Sequence, residues 1–154
     1  MQELIQKFDT HIISRLQRIE VPLARIAIFV VYFWFGFLKL LDASPATPLV
    51  QALFEKTIHF MPFTTFYTSF AIFEVVIGLL FLMRGLERLA ILLISLHLIA
   101  TILPLIFLSH IAWQAFLVPT LEGQYIIKNV LIAASAVVVG SKLVPITSTG
   151  KTKQ

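Results

Sequence analysis

The sequence predicts an all-α fold: a four-helix transmembrane bundle with an N-terminal amphipathic interfacial helix and a short helix in an outer loop. Three observations lead there. Hydrophobic residues make up 58% of the chain and charged residues 13%, whereas a soluble domain carries roughly 25% charged residues. Four apolar segments, at about 22–41, 66–83, 89–108 and 123–141, each approach the ~20 residues that a helix needs to cross a ~30 Å hydrocarbon core. The basic residues gather at the ends of these segments, which is the pattern of membrane topology rather than of a nucleic-acid groove. The segments lack period-2 alternation and are much longer than barrel strands, so transmembrane strands are not expected.

Residues 1–21 open the chain. Leu4, Ile5, Phe8, Ile12, Leu16 and Ile19 fall at helical spacing, with Arg15 and Arg18 among the polar positions. This reads as a cationic amphipathic helix on the inner membrane surface. The segment is too polar for the core of a secretory signal, so the first apolar run reads as a retained span. Lys7, Arg15, Arg18, Arg25, Arg84, Arg88, Lys142, Lys151 and Lys153 collect on one side of the four spans, and only Lys56 on the other. The positive-inside rule then places both termini in the cytoplasm. The outer loop, 42–65, holds "PLVQALFEKTIHFMP". Pro48 suits a first helical turn and Pro62 closes the segment. The 143–154 tail is polar and reads as disordered. Residues 22–142 form the transmembrane domain.

Charges inside the spans are the candidate functional residues. A rise of 1.5 Å per residue from Arg25, Arg84, Arg88 and Lys142 puts Lys39 and Lys128 about 21 Å up, Glu74 about 15 Å up and His97 about 14 Å up. A charge facing lipid at mid-bilayer costs about 2.5–3.5 kcal/mol, so Glu74 is expected to face the bundle. The depths pair Glu74 with Lys128 inside, and Lys39 with Asp42 at i+3 at the rim. Gly78, one turn beyond Glu74, and Gly36, one turn before Lys39, are candidate helix-packing positions. Asn129, beside Lys128, joins the candidate polar pocket of Glu74, Lys128, His97 and Lys39, with Tyr125 one turn away. Two uses of that pocket stay open: a structural ion pair, or a functional site. His97 reads as a core histidine bonded to Thr101 or to a carbonyl freed by Pro104, or as a proton relay. Bis-His haem ligation is not expected, because His59 and His110 are placed near the outer surface and His11 on the cytoplasmic side. Trp34 is expected to serve helix packing, and Trp113 the outer aromatic belt. The absence of cysteine excludes a thiolate metal site and a Cys-x-x-Cys redox pair. No catalytic or metal-binding motif is evident.

Several stretches together resemble a known family. "RIAIFVVYFWFGFLKLL" (25–41), "PLV" (48–50), "EVVIGLLFL" (74–82), an Arg-headed third span and "GQYIIKNVLIAA" (123–134) resemble, in order and spacing, the DoxX-like membrane proteins, nearest to their RclC-like bacterial inner-membrane branch. The resemblance covers about 25–142. It departs in shorter outer loops and in Asn129, where an acidic residue is expected. It implies a four-helix bundle with both termini inside. Founding members are small membrane subunits linked to a quinone-coupled thiosulfate oxidoreductase; other relatives are tied to oxidative or reactive-chlorine stress, or to the assembly of other membrane proteins. The expectation is a quinone-associated redox or oxidative-stress accessory subunit. A non-enzymatic assembly partner and a proton-coupled carrier are the alternatives. The expected surroundings are the lipid bilayer and a membrane-protein partner or second copy, with no nucleic acid.

Overall fold

The computed structural model describes residues 1–145. It is an α-helical bundle built from α1 (Gln2–Leu40), α2 (Thr47–Thr57), α3 (Phe63–Leu82), α4 (Glu87–Phe107), the single turn α5 (Ser109–Ala112) and α6 (Leu121–Ser141). α1, α3, α4 and α6 are long and apolar enough to cross a membrane; the chain has the build of a multi-pass membrane protein. The expected tail lies largely outside the described residues.

The four expected spans match these helices to within about three residues at every end but one. The exception is α1, where the amphipathic segment and the first span form one uninterrupted helix of 39 residues, about 58 Å long. Pro22 sits inside it. A proline lacks the N–H that would bond four residues back, yet the helix continues through this point.

α1 and α3 run antiparallel and approach closely at two glycines. A Cβ on Gly36 would lie 2.9 Å from the Ala71 carbonyl oxygen, and one on Gly78 would lie 2.8 Å from the Phe33 nitrogen. A side chain at either position would push the backbones apart. α4 runs parallel to α1, and α6 antiparallel to it.

The two ends of the bundle differ. At the basic end, Arg25 donates to Glu87 (2.7 Å) and to the Phe81 carbonyl (2.6 Å), joining α1 to both α3 and α4. Lys142 meets Glu20 at 2.7 Å. The half of the core nearest this end is wholly apolar: Ile28, Ile77, Phe81, Ile94 and Val139 are all fully buried. At the other end, α2 lies across the helix tips as a cap. Pro48 stands in its first turn, as expected. Phe54 packs on Phe63 and Phe66, Thr47 bonds the Tyr67 hydroxyl, and Lys56 donates to the Phe107 carbonyl at the end of α4 (2.7 Å).

The connection between α4 and α6 holds a two-stranded hairpin, Trp113–Ala115 with Val118–Pro119, which the sequence reading did not anticipate. Leu117 turns it with φ 59°, an uncommon backbone region for a branched side chain. Trp113 donates its indole N–H to the Leu105 carbonyl (3.0 Å), one residue past the helix-interior Pro104. Thr120 caps α6 by accepting from the Gly123 N–H (3.1 Å).

Candidate functional site

Four titratable side chains from three helices form one hydrogen-bonded chain inside the capped half of the bundle. Lys39 of α1 donates to Glu74 Oε2 of α3 at 2.6 Å. Glu74 Oε1 lies 3.1 Å from His97 Nε2 of α4. His97 Nδ1 lies 3.0 Å from the Tyr32 hydroxyl, back on α1. Lys39, Glu74 and His97 are each 6% exposed and Tyr32 is 4% exposed, so the whole chain is withdrawn from solvent and lipid.

The chemistry of the groups orders the protons. An ionised carboxylate only accepts. Glu74 therefore takes one hydrogen bond from the Lys39 ammonium and one from the His97 Nε2–H. In the tautomer that carries the proton on Nε2, Nδ1 accepts the Tyr32 hydroxyl proton. Every member is paired, and the Lys39 ammonium faces the Glu74 carboxylate. This is the condition under which buried charges persist in a low-dielectric interior.

Aromatic rings enclose the imidazole. Phe70 stacks on His97 with centroids 5.1 Å apart and planes 17° from parallel. Phe73 lies tilted at 6.2 Å, and Tyr32 meets the ring edge-on at 5.0 Å. The Lys39 ammonium stands 5.7 Å from the Phe70 ring centre, a distance at which a cation is attracted to an aromatic face. Phe70 and Phe73 are themselves only half-buried and lie on the side of α3 that meets α4.

This arrangement corrects the expected pairing. Lys128 does not meet Glu74. It is exposed, and its ammonium lies 5.2 Å from the ring centre of Tyr125, which is exposed too. Lys39 does not pair with Asp42, which sits in an exposed left-handed turn (φ 54°) past the helix end. The reason lies in helix direction. Side chains on an α-helix lean toward its N-terminus. α1 and α3 are antiparallel, so Lys39 leans away from the cap, Glu74 leans toward it, and the two meet. α6 starts at the capped end, so Lys128 leans that way, along Tyr125, and draws away from Glu74. The two lysines have the same depth, and rotation about the helix axis and lean separate them.

Three further expectations change. His97 bonds Glu74 and Tyr32 rather than Thr101 or a carbonyl. Thr101 donates to the Leu98 carbonyl (2.9 Å) and receives Asn129 Nδ2 at 3.4 Å; Asn129 thus ties α6 to α4 outside the four-residue chain. Trp34, expected to serve packing, is 62% exposed on the outer face of α1.

Tyr32 and Phe70 are the members that the sequence reading missed. Tyr32 carried a signal. It lies one turn before Gly36 and two turns before Lys39, so it shares their face of the helix. Phe70 carried none that separates it from the other phenylalanines.

No family model, curated protein or solved structure matches the chain.

Proposed function

We propose that the protein is a DoxX-like accessory subunit of the bacterial inner membrane, with both termini and the basic end in the cytoplasm, and that its buried chain serves a quinone. The observation that carries this reading is the closed Tyr32–His97–Glu74–Lys39 chain within the hydrocarbon span. Intramembrane ionisable residues mark proton and ligand sites by default, and these four make a proton path from a hydroxyl to a carboxylate with a fixed counter-ion.

The residues fit a quinone headgroup in their donor set and surroundings. The Tyr32 hydroxyl, which bonds His97 Nδ1 in the closed chain, is the donor that a ring carbonyl would take over. The imidazole already holds an aromatic plane against it, that of Phe70, at the α3–α4 seam. A bound quinone supplies two-electron redox chemistry coupled to protons. The chain's own part is proton handling: His97 passes a proton between the Tyr32 oxygen and Glu74, and Lys39 offsets the carboxylate charge whenever Glu74 is ionised. Apolar packing below Tyr32, through Ile28, Ile77 and Phe81, separates the chain from the basic end. That apolar seal speaks for an accessory site rather than a proton-coupled carrier.

The test is the quinone content of protein purified in native lipid. About one quinone per chain is expected, lost in Glu74→Gln and His97→Gln. A content equal to that of the surrounding lipid in all three forms refutes the reading. Reporter fusions at Gln154 and within 110–120 check the topology; a periplasmic signal at Gln154 overturns it. A second reading, an assembly partner of another membrane protein, draws on exposed Lys128 and Tyr125 of α6. A copurifying membrane protein, lost in Lys128→Leu and with no quinone present, favours that alternative.

A further inference from the structure

α1 carries one apolar stripe along its whole length. In the spanning half, Leu23, Ile26, Val30, Trp34 and Phe37 are exposed on the face opposite the buried Ala24, Ile28, Tyr32, Gly36 and Lys39. They follow one another at steps of three, four, four and three residues. This is the lipid-facing side of the first span. In the N-terminal half, Ile5, Phe8, Ile12, Leu16 and Ile19 are exposed at the same steps, and Ile19 is four residues before Leu23. The second set is the first displaced by 18 residues, which is five turns at 3.6 residues per turn. The two stripes are collinear. Between Ile5 and Ile19, Ile13 alone among the large apolar residues stands clear of the stripe.

A basic stripe runs beside the apolar one. Lys7, His11, Arg15 and Arg18 follow at steps of four, four and three residues, with Arg15 Nε donating to His11 Nε2 at 3.0 Å. Asp9 and Glu20 are off this line. No residue from 1 to 19 is buried against the bundle. The first anchored positions are Glu20, paired with Lys142, and Val21, packed on the core. Pro22 leaves the Arg18 carbonyl without its helical donor, so the ladder is weakest where the anchoring begins.

We infer that residues 2–19 are a membrane-surface anchor for an anionic leaflet, which hinges at 18–22 and folds outward, away from the bundle. Geometry sets the direction. A bend toward the lipid-facing side turns the apolar stripe onto the leaflet at the basic end, whereas a bend toward the bundle turns it to water. In the outward position Ile5, Phe8, Ile12, Leu16 and Ile19 enter the acyl boundary. Lys7, Arg15 and Arg18 lie along the flank, at the level of the phosphates. The occupant is lipid rather than a second copy because the stripe is continuous with the lipid-facing surface. It also keeps the 3.6 repeat of a straight helix, whereas a two-stranded coiled coil needs 3.5.

The chain has no cysteine, so single cysteines at each position from 5 to 19, and at 23, 26 and 30, can carry a spin label in the intact chain. The protein is placed in phosphatidylglycerol/phosphatidylethanolamine vesicles, and collision with oxygen, which partitions into lipid, is compared with collision with a water-soluble nickel chelate. The expected ratio is several-fold higher at 5, 8, 12, 16 and 19 than at 7, 11, 14 and 18, in phase with 23, 26 and 30. Uniform access to the chelate means a helix standing free in water and overturns the inference. A stripe shielded from both reagents means that protein covers it, which overturns the inference in favour of a second copy. As a second readout, Phe8→Asp with Leu16→Asp is expected to abolish the oxygen maxima and leave unfolding in detergent unchanged. A loss of bundle stability in that variant assigns the segment to the fold and refutes an anchor role.

Discussion

The Lys39–Glu74 pair offers the sharpest perturbation, because the structure names a partner and a non-partner of equal depth. Glu74→Gln leaves the Lys39 ammonium, 6% exposed, without its counter-ion. Breaking a buried pair in this way costs about 3–5 kcal/mol. Lys39→Met is expected to cost less, roughly 3 kcal/mol, the low end of that range. His97 remains 3.1 Å from Glu74 and can share or accept a proton to offset the carboxylate. The double variant replaces both charges by neutral groups of similar size, so it should cost less than the sum of the singles by about 1–3 kcal/mol, the coupling usual for contacting residues. Lys128→Met is the control: its side chain is exposed and touches Tyr125, so its effect should stay within about 0.5 kcal/mol and add independently to Glu74→Gln. The measurement is equilibrium unfolding in mild detergent, followed by helical circular dichroism. Additivity of Lys39→Met with Glu74→Gln, or coupling of Lys128→Met with Glu74→Gln, would refute the geometry set out above.

Other perturbations probe the remaining contacts. Tyr32→Phe removes the hydroxyl that faces His97 Nδ1 and leaves a buried acceptor unpaired, so it should destabilise by about 1–3 kcal/mol in the same assay. Gly78→Val introduces a Cβ 2.8 Å from the Phe33 nitrogen and forces α1 from α3. It should lower the unfolding midpoint more than Gly85→Val, where the glycine has open space around it although its positive φ resists a side chain. Phe81→Ala empties a fully buried site in the apolar half of the core and should cost about 3–5 kcal/mol. Arg25→Met breaks the link from α1 to Glu87 and to the Phe81 carbonyl; it is expected to destabilise the bundle, and retention of the wild-type midpoint would show that this junction is dispensable.

Hydropathy and segment length alone were enough to outline the bundle, because a bilayer restricts spanning elements along a single coordinate. An apolar run either reaches across the hydrocarbon or does not, and charges collect at its ends. The four spans were legible for that reason, and the cap helix and the contacts at Gly36 and Gly78 from local signals, a helix-opening Pro48 and glycines one turn from a buried charge. So was the inward burial of Glu74 and His97, since charged and polar groups are driven from lipid. The partner of Glu74 was not legible. Depth along the membrane normal ranked Lys39 and Lys128 equally, and the sequence carries no direct record of how each helix is rotated about its axis. The close α1–α3 crossing sets that rotation. It turns Lys39, Gly36 and Tyr32 toward Glu74, and the antiparallel run of the two helices makes their side chains lean together. Tyr32 entered the chain, and Lys128 left it, only through tertiary packing: a helix sequence prescribes which residues share a face, and only its neighbours decide what that face meets.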